Sequence, residues 1–256
     1  MTKFERLGSI FLPILLVFIW QAACIGFKIP SFVLPAPTEI AVALWDNLYI
    51  IWFHSSQTLL TTVIGFAVAV IFGAALGILV GSSRFAYSSL YPMLVGFNSV
   101  PKVAIVPILV VWFGIGTVPA ILTAFMLSFF PIAVNVATGL ATIEPELRDV
   151  LRSLGANQLD IVRKIGIPRS LPYLFASLKI SITLAFVGSV ISETLASNRG
   201  IGTLMTQASA NFRVSLVFAG LVVIAAMGIA MYVIFAMIEK RMTAWAVRGT
   251  TFGVGG

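Results

Sequence analysis

Charged residues gather in clusters along this 256-residue chain, and long stretches free of Asp, Glu, Lys and Arg run between them. A helix needs about 20 apolar residues to cross a hydrocarbon core of roughly 30 Å, and Leu7 to Phe27 meets that need as a first span. Asn47 to Ser83 exceeds it, which predicts an outer loop at the start and a second span over Gln57 to Gly81. Val103 to Ile143 must contain two helix ends, and Gly114-Ile115-Gly116 supplies the break. A third span then covers Tyr87 to Phe113 and a fourth Val118 to Leu140, while a fifth follows Pro172 and a sixth is Val214 to Ile238. The pattern predicts an all-α polytopic membrane protein of six transmembrane helices, one domain over residues 1–256. The alternating segments of a membrane β-barrel are missing from it.

Composition supports lipid as the solvent: 59% of residues are hydrophobic, 10% are charged and the mean hydropathy is +1.06. Globular chains carry about 25% charged residues. Basic residues in short loops set orientation. The side holding both termini carries eleven, among them Lys3, Arg84, Arg148, Arg163, Lys240 and Arg248, whereas Lys28, Arg199 and Arg213 are the three on the other side. Both termini are therefore expected in the cytoplasm. The net charge of +7 is this asymmetry and calls for no nucleic-acid partner. Cys24 is alone, so neither an intramolecular disulfide nor a multi-cysteine metal site can form. His54 is the sole histidine and reads as an interfacial residue rather than a metal ligand, and the tryptophans, Trp245 included, suit membrane edges.

Three stretches carry more specific signals. After Pro30, Pro35 and Pro37, apolar residues from Ile40 to Leu48 suggest a short helix lying on the outer surface, with Thr38 as its cap. In the second span Gly65, Ala69, Gly73, Gly77 and Gly81 recur every four residues, a stripe on which another helix can pack closely or which can line a path. Between spans four and five, Glu144-Pro145 starts a helix in which Leu147, Val150, Leu151 and Leu154 fall on one face. Gly155 ends it, and Asn157 with Asp160 resembles a capping box for a second short helix. Two helices at a glycine corner make a rigid knob over residues 144–168, suited to covering the bundle or to docking a partner.

That knob resembles the EAA loop of ABC importer permeases: Asp149-Val150-Leu151, three residues, Gly155, nine residues, Ile165, one residue, Ile167-Pro168. Asp149 keeps the acid of the family's Glu-Ala-Ala triplet, and Val150 and Leu151 replace its alanines. Val100-Pro101, Ala104, Pro107, Trp112 to Gly116, Ser192-Glu193 and Arg199 to Gly202 look like landmarks of the nitrate, sulfonate and taurine branch. The resemblance implies a type I importer permease bundle in a bacterial inner membrane. It also implies a homodimer, two copies of a cytoplasmic ATPase that hold ATP and magnesium, and an external substrate-binding protein. It implies alternating access driven through the knob, with Leu147, Val150, Leu151 and Leu154 as apolar anchors and Gly155 as the corner. Arg148, Arg152 and Arg163 would be free to meet acids on the ATPase. The chain has no G-x-x-x-x-G-K-[ST] phosphate loop, so no ATPase activity or bound cofactor is expected on it.

Charge at membrane depth marks function by default. Lys102, beside the helix-breaking Pro101, can attract an anionic solute such as a sulfonate, nitrate or carboxylate, or can snorkel or pair with Glu193. Glu193 can brace the following turn through Arg199 or belong to a gate. Lys179 reads as a snorkelling structural residue. The rival to an importer subunit is a stand-alone secondary transporter or channel, which calls for paired buried acids or an internal repeat. An intramembrane enzyme calls for a metal or nucleophile constellation that the chain does not offer.

Overall fold

The computed structural model describes residues 3–243; Trp245 and Arg248 lie outside the described residues. Within them every regular element is helical: α1 (Lys3–Gly26), α2 (Pro37–Asp46), α3 (Leu48–Gly81), α4 (Arg84–Asn98), α5 (Val106–Phe113) and α6 (Thr117–Ala141). Then follow α7 (Pro145–Ser153), α8 (Gln158–Ile161), α9 (Ile167–Ala196), α10 (Ile201–Ala210) and α11 (Val214–Met242). Among the described residues, α3, α6, α11 and the continuous Gln158–Ala196 stretch are long and apolar enough to span a membrane. Arg84–Asn98 and Lys102–Phe113 pass the same test only as a pair, which is bent by 72°, and the apolar part of α1, Phe11–Gly26, is shorter.

Four expectations need correction. The second span begins at Leu48, because its polar residues serve the helix: Ser56 Oγ bonds the Phe53 carbonyl and Thr58 Oγ1 reaches that of His54. The third span is two pieces bent by 72°, because Pro101 cannot donate to an α-helical ladder and a 3₁₀ turn at Lys102–Ile105 takes up the break. The fifth span starts well before Pro172, through a π turn at Val162–Gly166 that joins α8 to α9 without interruption. Thr38 does not cap α2: Ala36 precedes the helix, the Glu39 carboxylate accepts the Ala36 N–H, and Thr38 instead bonds Gln21.

The core is a three-helix contact of α3, α6 and α9. Lipid gives apolar side chains no reason to leave it, so the helices associate through close packing and need small residues to achieve it. Ala69 is fully buried, and Cβ atoms built on Gly65, Gly73, Gly77 and Gly81 would stand 2.6–2.8 Å from atoms of α6. The carbonyls of Phe129, Ala133 and Ala137 lie directly under the last three. On the far side of α6, Gly188 of α9 faces the Ala124 Cα and the Thr123 carbonyl, where a Cβ would come within 2.9 Å. Phe66, Phe129, Ile132, Leu140, Ile182 and Phe186 fill the space between. Phe125 stacks on Phe129 with centroids 5.3 Å apart. Peripheral α11 has only 6% of its most apolar window buried within the chain. It is tied to α9 by Lys179 and Glu239, 2.5 Å apart.

A bulky residue on the α3 stripe has to push two backbones apart, which costs about 1–3 kcal/mol in a packed core. Gly77→Val is expected to lower the thermal midpoint of the detergent-purified protein by several degrees. Gly96→Ala, where a Cβ would meet nothing within 4 Å, leaves the midpoint unchanged.

Candidate functional site

Helix α7 opens with Glu144 at the cap and Pro145 in the first turn, where a missing N–H is harmless. It closes on Gly155, whose φ of +82° suits glycine, with Ala156 N bonded to the Leu151 carbonyl and Gly155 N to that of Arg152, both at 2.9 Å. This paired ending turns the chain sharply. Asn157 Oδ1 then accepts the Asp160 N–H at 2.8 Å while Asp160 Oδ2 accepts that of Asn157 at 3.2 Å, starting α8 within two residues of the corner. The result is an elbow whose second arm is the first turn of a 39-residue rod ending at Ala196.

The elbow is fastened to the membrane helices at three points. Arg148 Nη2 donates to the Leu140 carbonyl in the last turn of α6 at 3.0 Å, which places a cation at a helix C-terminus. Gln158 Nε2 donates to the Ser82 carbonyl at 2.7 Å, and Arg169 pairs with Glu144 at 3.4 Å. Arg148 is thus half-buried and engaged within its own chain. Arg152, 4.0 Å from Asp149, and Arg163 remain outside. Of the apolar residues, Leu147, Leu151 and Ile165 are half-buried and Ile161 is fully buried, whereas Val150, Leu154 and Leu159 are 57%, 78% and 79% exposed. Ile167 and Pro168 begin α9. Between the elbow and the inner ends of α3, α4 and α6 lies a cleft of about 1010 Å³, lined by Arg84, Tyr87, Glu144, Arg148, Arg152 and Gln158 among others.

At the break in the third span, Lys102 is 8% exposed and its Nζ donates to Asn98 Oδ1 at 2.6 Å and to the Asn98 carbonyl at 3.1 Å. The ammonium therefore closes the C-terminus of α4, and lies 6.0 Å from the centre of the Phe130 ring. It does not pair with Glu193. Beyond it Trp112, Phe113 and Ile115 stand exposed around the glycine turn that leads into α6.

Glu193 is enclosed by its own protomer. Its carboxylate accepts from Thr58 at 2.8 Å, Thr61 at 3.4 Å and the Gly202 amide at 3.2 Å. Ser189 donates to Thr61, and Thr203 donates to the Glu193 carbonyl. Arg199 does not reach Glu193: its guanidinium lies 3.8 Å over the Phe53 ring and donates to the Phe53 carbonyl and Ser56 Oγ. His54 is buried rather than interfacial, its Nδ1 lying 3.1 Å from Gly200 N and 2.9 Å from Gly200 O, so that either tautomer pins that residue. Sequence reasoning passed over Thr58 and Thr61. A signal for them exists, since His54, Thr58 and Thr61 follow the helical spacing along one face of an apolar span. Among the described residues no group of three His, Cys, Asp or Glu side chains could hold a metal ion.

The inward turn of Arg148 has a measurable consequence. Arg148→Ala removes a charged hydrogen bond, worth about 1.5–3 kcal/mol, so amide exchange over residues 146–153 should accelerate about ten-fold or more. Exchange in the α3 and α6 core should stay as in the unmodified protein.

The comparisons agree with this architecture. The family described as "Binding-protein-dependent transport system inner membrane component" matches residues 69–244. The riboflavin transport system permease protein of Chloroflexus aurantiacus is 32% identical over 236 residues, covering 91% of this chain and 88% of that protein. The taurine transport system permease protein of Escherichia coli is 27% identical over 241 residues, covering 91% and 87%. A chain from the inward-facing MetNI methionine ABC transporter superposes with a TM-score of 0.59 at 21% identity, covering 78% of this chain and 97% of that one, which is a likeness of fold. The match spans the elbow, the bent α4–α5 pair, α6, α9 and α3 from Ala69 onward, and the chain belongs to the family of binding-protein-dependent transport system inner membrane components.

Proposed function

We propose that this multi-pass ABC permease component carries a small anionic solute inward across a bacterial cytoplasmic membrane, as a homodimer driven by two copies of a separate ATPase. In this reading α1 and the broken α4–α5 pair complete six spans, with both termini in the cytoplasm. ATP and magnesium sit on the ATPase, a substrate-binding protein delivers the solute from outside, and the bundle alternates its access. The elbow carries the reading. Val150, Leu154 and Leu159 expose apolar surface on a small rigid structure at the end of a transmembrane rod, and such a surface fits a protein groove. Pro101 and Lys102 are the candidate path residues. A buried ammonium with no carboxylate paired to it among the described residues favours an anionic group nearby, and the aliphatic sulfonates permease of Bacillus subtilis is a relative whose name fits that group.

The test is uptake by proteoliposomes containing this chain with its ATPase and binding protein. Uptake should require ATP and all three components, and transport by this chain alone would support a stand-alone transporter or channel instead. Gly155→Arg puts bulk on a left-handed corner at a backbone cost of about 1–2 kcal/mol, and Leu154→Glu puts charge on the exposed apolar tip. Both variants should insert normally and lose co-purification with the ATPase, and retention of the ATPase by both would refute the docking role.

A further inference from the structure

The N-terminus of α10 has no cap of its own. Gly200 precedes it without a side chain, and the first free amides of a helix must be satisfied, above all away from water. Here other helices supply the acceptors: the Ile201 N–H is received by Thr58 Oγ1 of α3 at 2.9 Å and the Gly202 N–H by Glu193 Oε2 of α9 at 3.2 Å, while His54 of α3 pins Gly200. Thr58 also donates to Glu193, so the two acceptors are locked to each other. A carboxylate at a helix N-terminus is favoured further by the helix dipole. The fit is close, since Gly200 has a φ of +137° and a Cβ on it would run into the Glu193 carboxyl group. Behind the cap, Ile201, Leu204 and Ala208 bury against Ile40, Ile51 and Leu216.

We infer that Glu193 and Thr58 are positioning residues that key α10 to the α3–α9 core, so that α10 travels with the rod as one body when the elbow is displaced. The rod makes this mechanically direct. Its 39 residues, about 58 Å of helix at 1.5 Å per residue, run from Gln158 beside the corner to Ala196, three residues beyond Glu193. The same end of the rod holds the turn into α6, through Gly116 N on the Ala196 carbonyl at 3.2 Å. A push at the elbow thereby reaches both α10 and the exposed Trp112–Ile115 segment. Glu193 needs no contact with the solute for this role. The inference rests on the importer reading for its consequence in transport, but its structural content can be tested apart from that.

Spin labels on the exposed residues Leu195 and Gln207 report the distance between the rod and α10 in the full-length protein in nanodiscs. The unmodified chain should give one narrow distribution. Glu193→Ala and Thr58→Val should broaden it, and Glu193→Gln, which keeps an acceptor oxygen for the Gly202 amide, should restore it. In the complete importer, Glu193→Ala should hydrolyse ATP while solute moved per ATP falls about ten-fold, as expected for losing a buried charged hydrogen bond, and Glu193→Gln should stay within about two-fold. If Glu193→Ala does not fold, Thr58→Val, which leaves the carboxylate and its Gly202 bond in place, carries the test. A narrow distance distribution in the Ala and Val variants, or unchanged coupling in them, would overturn the inference. Absence of ATP-driven uptake by the unmodified importer would count against the importer reading and leave the distance result to decide the positioning role.

Discussion

The carbonyl oxygens of Phe129, Ala133 and Ala137 lie against the glycines of α3, and the rest of the protein depends on that approach. In lipid two helices gain little by hiding leucines from a solvent that is itself hydrocarbon, so they must touch backbone to backbone. The four-residue stripe from Gly65 to Gly81 lets α3 do so over its membrane length. Gly139 and Gly188 let α9 meet α6 from the other side. Once α3 and α9 are fixed on α6, Thr58, Thr61, Ser189 and Glu193 fall within reach of one another. Each oxygen of the buried carboxylate then has a donor, without which its burial would cost several kcal/mol.

The inner and outer ends of this core are built on the same principle of lending backbone groups to neighbours. At the inner end Arg148 serves the Leu140 carbonyl in the last turn of α6, and Gln158 serves the turn after α3. At the outer end Thr58 and Glu193 serve the first amides of α10. Lys102 serves the end of α4 at the break in the third span. Polar side chains thus finish helices whose terminal backbone groups the helix itself cannot satisfy. Because each such bond joins two elements, the elbow, the core and α10 are held to each other rather than merely placed side by side. The continuous Gln158–Ala196 rod connects them from one end of the core to the other.

Much of this was legible in the sequence and some was not, for identifiable reasons. The apolar runs revealed the four long apolar helices, α3, α6, α11 and the Gln158–Ala196 stretch, because length and charge-free composition are the physical requirement itself. Gly155, Asn157 and Asp160 marked the corner because helix ends are local chemistry. Proline was less informative. Pro101 does break its span, whereas Pro172 lies within a helix that neighbouring helices hold in place. The partners of charged side chains were not readable, since they are set by packing between distant segments. Lys179 finds Glu239, Arg199 finds Phe53, and Arg148 turns back to Leu140. The polar face of His54, Thr58 and Thr61 was present in the sequence, but its meaning required knowing that Glu193 lies opposite.

The central claim is that an ATPase subunit seats on the elbow, and a photo-activatable residue at Leu154, on the membrane-embedded protein co-expressed with its ATPase, tests it most directly. The account predicts an adduct between the two chains from Leu154 and from Leu159, and none from a probe at the exposed Phe18 of α1. Absence of an adduct at both elbow positions, in membranes where the unmodified pair co-purifies, would contradict it.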